Sequence, residues 1–172
     1  MTNRIKILLF CLISVAFIGC DQATKELAKD HLRNKPERSY YHDTFRLMYV
    51  ENTGAFLSLG DNWPKTVSFW VMSIAPLFLL TALFVYGVRK VTATSFSSGL
   101  PFVLIFSGGV GNIIDRLLYD RHVTDFMNVG IKNFRTGIFN FADLYVTAGV
   151  LTLLFFQFRK PVANTASLKA DE

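Results

Sequence analysis

The chain has 172 residues, a mean hydropathy of +0.33 and 51% hydrophobic residues, which is too apolar for an ordinary soluble domain of this length and puts a membrane class first. The formal net charge of +5 does not point to nucleic acid, because the basic residues are scattered between apolar runs and form no stripe with interleaved aromatics. Cys11 and Cys20 share one apolar run and would lie about 13 Å apart along a helix, too far for a disulfide, so no disulfide framework is expected.

In chain order, the first apolar run is Ile7 to Cys20, whose length suits a signal-peptide core as well as a buried helix. It becomes a span only if the helix continues through Asp21 to about Ala28. Its end, Gly19-Cys20, imitates the processing site of a bacterial lipoprotein. Phe17 stands where such a site prefers an aliphatic residue, and the chain after Cys20 carries three further expected spans and a carboxylate pair instead of a soluble domain, so the run is expected to be a retained span and Cys20 unmodified. Asp21 and Lys25, at i and i+4, read as an ion pair. Within Tyr40 to Leu59 the stretch Phe45-Arg46-Leu47-Met48-Tyr49-Val50 is expected to pair as short strands, giving a small extracytoplasmic sheet between the first two spans. Asn52-Thr53-Gly54-Ala55 is a turn signal.

Only uncharged residues lie between Lys65 and Arg89, enough to cross a hydrocarbon core of about 30 Å as a helix. Pro76 is expected to kink it. The next run is strongly apolar from Gly99 and ends at Asn112 to Arg116. There Asn112, Asp115 and Arg116 share one helical face, and Gly108, Gly109 and Gly111 allow close approach of another helix or a substrate. The stretch from Asn128 to Asn140 reads as a connecting loop, and the last span runs to Phe158 with Asp143 one turn into it. The fold class is therefore mainly α and integral to the membrane: four spans at about 7–28, 66–88, 97–117 and 138–158 in one domain over 1–160, then a disordered tail over 161–172. Arg4, Lys6, Arg89, Lys90, Arg159 and Lys160 near span ends place both termini in the cytoplasm.

Ionisable groups at membrane depth are expensive and demand a partner or a function. Asp143 and Asp125, on the same expected side, can meet at the membrane surface. A close pair in a partly dry site shares a proton, so one carboxylate can activate water while the other stabilises an oxyanion, as in aspartic peptidases. Two other readings stand beside this one. Asp143 can be an anion on first-turn amides with Asp125 a solvated loop residue, or the two can form a proton or ion relay in a small transporter. Asn140, three before Asp143, fits an N-cap or a site hydrogen bond.

Taken together, Asp21-Gln22-Ala23-Thr24-Lys25, Asn52-Thr53-Gly54-Ala55, Gly109 to Arg116, Val123-Thr124-Asp125-Phe126 and Phe139-Asn140-Phe141-Ala142-Asp143 resemble, in order, the motifs of the bacterial lipoprotein signal peptidases (signal peptidase II). The resemblance implies a multi-pass inner-membrane aspartic endopeptidase with its active site near the extracytoplasmic face. It would cleave diacylglyceryl-modified prolipoproteins just before the lipidated cysteine. Asp125 and Asp143 match the family's catalytic pair. Asn52, Gly54, Asn112, Arg116 and Asn140 match site-lining or substrate-positioning positions, and Asp21, Lys25 and Asp115 match supporting ones. By the same likeness no metal or cofactor is needed, membrane lipids are partners, and globomycin-like and macrolactam antibiotics are inhibitors. The chain departs from the family pattern at Phe56 and Leu57, after Ala55, and at Thr124, where a second apolar residue is common.

Overall fold

The computed structural model describes residues 1–54 and 62–158. The departures from the family pattern at Phe56 and Leu57 and the tail expected at 161–172 lie outside these residues. Helix α1 (Asn3–Leu32) is longer at both ends than the expected span. Its 30 residues rise about 45 Å, more than a bilayer core of about 30 Å requires, and the excess includes its last turns. Those turns are held by tertiary packing, with Ala28 and Leu32 buried against Phe126 and Met127.

The second helical segment is composite. Helix α2 (Lys65–Phe69) leads into a π-helical turn, Trp70–Ile74, and then α3 (Ala75–Ala93). The irregularity expected at Pro76 falls just before it, because the wider π register carries the chain past a ring that would collide with the carbonyl four residues back. After a 3-10 turn at Phe96–Gly99, α4 (Leu100–Leu118) runs through the middle of the bundle, and α5 (Phe141–Phe158) packs along it. Phe10, Val91, Phe102 and Val103 form one core cluster, and Leu80, Ile105 and Ile113 another. Ser107 donates to the carbonyl of Ser14 at 3.2 Å, a buried polar tie between α4 and α1. Leu8, Leu12, Val15, Phe78, Leu79, Leu151 and Phe155 face outward, the surface expected of a protein solvated by lipid. Three segments, Asn3–Leu32, Lys65–Ala93 and Phe96–Leu118, are long and apolar enough to cross a membrane; α5 is apolar but shorter.

The sheet is larger than expected and is not confined to the connection between the first two spans. Strands β1 (Arg38–Tyr40), β2 (Phe45–Asn52), β3 (Val123–Ile131) and β4 (Phe134–Arg135) form one antiparallel sheet in that order. The Asn128–Asn140 connection, expected as a loop, continues β3 and supplies β4, with Met127 bridged to Phe139. In β3 the first six residues are all buried, polar ones included, so this part of the strand has no wet face and shows no alternation. Pairing of Val50 with Asp125 and of Asn52 with Val123 places the end of β2 beside the start of β3 at the mouth of the bundle. At the far end, Arg135 donates to the carbonyl of Asp43 at 2.6 Å and Arg46 is paired with the Asp43 carboxylate, so the β1–β2 turn is tied to β4.

Candidate active site

Asp125 leaves β3 and Asp143 leaves the first turn of α5, and Asn140 lies between them. The Asn140 Nδ2 donates to Asp125 Oδ1 at 2.7 Å, while its backbone N–H donates to Asp143 Oδ2 at 3.1 Å. In return Asn140 Oδ1 accepts the Asp143 N–H at 3.0 Å, a reciprocal capping box that starts α5. Asp143 thus caps α5 and is linked to Asp125 through Asn140. Asp125 is 3% exposed and is not a solvated loop residue.

The remaining carboxylate oxygens also meet amides. Asn52 Nδ2 donates to Asp125 Oδ2 at 3.0 Å, and Asn112 Nδ2 donates to Asp143 Oδ1 at 2.9 Å. Each of the four oxygens accepts one N–H from a neutral donor. This holds the carboxyl groups in place without a neutralising cation. Burial, and after it the neighbouring Asp143 charge, pushes Asp125 up to about 6, against the hydrogen bonds from Asn52 and Asn140. Its folded value lies above the unfolded one, so the ionised group opposes folding, and stability falls as pH rises from about 4 to about 6. Thermal unfolding across this window should therefore be flatter in Asp125→Asn than in the wild type; parallel slopes would contradict the burial argument.

Arg116 reaches from α4 to the carbonyl of Gly54 at 2.9 Å and to that of Asn112 at 3.3 Å, joining the end of the β2 segment to the bundle. Its Nε is buried with no hydrogen-bond partner among the described residues. Beside it an apolar cavity of about 340 Å³ is lined by Trp63, Met72, Leu80, Ile105, Gly109, Asn112 and Arg116, so a greasy groove between α3 and α4 ends at polar groups of the site.

Asp21, Lys25 and Asp115 lie directly behind these groups. The expected Asp21–Lys25 pair forms at 2.8 Å, and Lys25 also meets Asp115 at 2.9 Å, with all three side chains 0–1% exposed. Asp21 Oδ1 accepts the Ala142 N–H at 2.8 Å and Asp115 Oδ2 accepts the Thr124 N–H at 3.3 Å, so the buried triad fastens α1 and α4 to α5 and β3. Asp115 and Arg116, adjacent in sequence, bond to different partners. Sequence reasoning missed Gln22, whose Nε2 bonds Asp115 Oδ1 at 2.9 Å and the Gly111 carbonyl at 3.1 Å. Its only signal was its position inside the Asp21–Lys25 motif. Among the described residues no group of three or more His, Cys, Asp or Glu side chains is arranged to hold a metal ion.

Fold and site together define a helical membrane protein with a two-carboxylate centre, Asp125 buried and Asp143 half-buried, held by asparagine amides. The family described as Signal peptidase (SPase) II matches residues 13–159, and the chain belongs to that family. The lipoprotein signal peptidase of Borrelia duttonii (strain Ly) is 34% identical over 156 residues, 87% of each chain. That of Borreliella burgdorferi (strain ZS7) is 33% identical over 151 residues, covering 84% of this chain and 86% of the relative. A bacterial membrane enzyme solved by the in meso method at 1.9 Å resolution superposes with a TM-score of 0.73 at 26% identity, covering 89% of this chain and 94% of the other. A second such structure, at 2.3 Å resolution, shares the fold with a TM-score of 0.73 at 24% identity over 95% and 93% of the two chains.

Proposed function

We propose that this chain removes the signal peptides of diacylglyceryl-modified prolipoproteins, cutting immediately before the lipidated cysteine, with Asp125 and Asp143 as the catalytic pair. The observation that carries the reading is the bridging of these carboxylates by one residue, Asn140, at the mouth of an apolar bundle. A water held between them is deprotonated by the ionised partner and attacks the scissile carbonyl, while the protonated partner donates to the developing oxyanion. The proton then passes to the leaving amine, and the pair returns to its singly protonated state. Asn52, Asn112 and Asn140 orient the carboxyl groups, and Arg116 with Gly54 positions the peptide. The groove between α3 and α4 gives apolar parts of the substrate a path to the site without leaving the bilayer.

In this reading α5 is the fourth span, both termini are cytoplasmic and the site faces the extracytoplasmic side of the inner membrane. Globomycin-like and macrolactam antibiotics act by occupying the site. The first apolar run is retained: α1 runs unbroken through Cys20, and the next residue, Asp21, accepts the Ala142 N–H. The test is cleavage by purified protein, in lipid and detergent, of a prolipoprotein peptide with and without its diacylglyceryl group, alongside the intact mass of the membrane-extracted enzyme. Cleavage of the lipidated peptide only, by a protein with its amino terminus intact, is the expected result. Failure to cut either peptide would sink the reading.

A further inference from the structure

We propose that Lys25 is a positioning residue for the carboxylate pair: its ammonium fixes the amide of Asn112 in the one orientation that presents an N–H to Asp143. The inference rests on the reading of Asp125 and Asp143 as the reacting groups. A lysine that is 1% exposed inside a helical bundle is costly, and one carboxylate would suffice to neutralise it. Here the three ammonium protons have three different acceptors, Asp21 Oδ2 at 2.8 Å, Asp115 Oδ2 at 2.9 Å and Asn112 Oδ1 at 2.9 Å. The third bond is the one an ion pair does not need.

That bond decides which way the Asn112 side chain faces. Its Oδ1 accepts from Lys25 and also from Asn140 Nδ2 at 3.1 Å, which fills both acceptor positions, and its Nδ2 donates to Asp143. A flipped amide would turn its N–H groups toward an ammonium and another N–H, and its oxygen toward a carboxylate, so every contact would be repulsive. Asn140 is fixed in turn, because its Nδ2 faces Asn112 Oδ1, Asp125 Oδ1 and the Thr124 carbonyl. Order therefore passes from Lys25 through Asn112 to Asp143 and through Asn140 to Asp125. Without Lys25 the Asn112 amide has one fewer reason to keep its orientation, and the carboxyl group it holds can rotate away from the attack geometry.

The test must separate positioning from folding and from charge. The charged or titratable groups around Lys25 and its partners are Cys20 and Asp21 on its own helix, Asp115 and Arg116 on α4, Asp125 on β3, and Asp143 and Tyr145 on α5. Removing Lys25 alone makes this cluster more negative, so in Lys25→Met the acid limb of the pH–rate profile should move to higher pH. The variant Lys25→Met/Asp115→Asn keeps the triad at its original net charge and removes the bond to Asn112; Asp21→Asn/Lys25→Met does the same if the first does not fold. In either, kcat should fall about 10- to 100-fold with KM for the lipidated peptide unchanged. Wild-type kcat in a folded charge-conserving variant, or a loss that only tracks the amount of folded enzyme, overturns the proposal, as does failure of both variants to fold. Asp125→Asn assayed in parallel separates the two claims: if it is inactive while the double variant is fully active, only the role of Lys25 falls, and if it is active the assignment of the pair falls.

Discussion

Asp125→Asn is expected to lower kcat on a lipidated prolipoprotein peptide by about 10³-fold or more, with a thermal unfolding midpoint close to that of the wild type. The substitution keeps size and shape but removes the group that gains and loses a proton in the proposed mechanism, and among the described residues no titratable side chain hydrogen-bonds to Asp143 in its place. The loss of an ionised group disfavoured by burial offsets the mismatch between the new amide and its two former donors, Asn52 and Asn140. Asp143→Asn should be as inactive but less stable, by about 1 kcal/mol, because that side chain also closes the capping box of α5. The measurements are single-turnover cleavage and thermal unfolding of each purified variant. Activity of Asp125→Asn within tenfold of wild type would remove the aspartic mechanism.

Much of this site was legible because membrane solvation makes charge conspicuous. An aspartate one turn into an apolar run, as at Asp143, has few explanations, and Asp21 with Lys25 at i and i+4 has a clear local one. Less visible was what depends on partners far along the chain. That Asp115 completes a triad with Lys25 cannot be read from either helix, since the two residues are 90 positions apart and meet only because α1 packs on α4. Strand β3 was hidden for a related reason. Asp125 and Asn128 are buried by bonds to Asn140, Asn52 and the Thr136 carbonyl, so polar residues occupy positions that a pattern-based reading assigns to a loop. The length of α1 was underestimated because its last turns are polar on the side that hydropathy weighs, while Ala28 and Leu32 hold them against the sheet.

The second large effect is expected at a residue with no side chain. A Cβ on Gly108 would collide with the Ala142 carbonyl oxygen and lie 2.8 Å from Val146 Cγ2, well inside contact distance. The valine can rotate, but the carbonyl belongs to the first turn of α5, which is pinned by the Ala142 N–H to Asp21 and by the Asn140–Asp143 box. Gly108→Ala must therefore push α4 and α5 apart by roughly 1 Å, a displacement large enough to cost about 100-fold in rate when it falls between reacting groups. In the proposed mechanism it falls there, because Asn112 lies one turn further along α4 and holds Asp143 of α5. The variant should lose about 1–3 kcal/mol of stability from overpacking and most of its kcat. Gly19→Ala is the control, since nothing lies within 4 Å of its Cβ position and the added methyl would face open space. It should leave activity unchanged and stabilise α1 slightly, as alanine does in a helix interior. Equal behaviour of the two alanine variants would mean that the α4–α5 contact yields freely, and then the fixed separation on which the Asn112–Asp143 bond depends could not be what orients the pair.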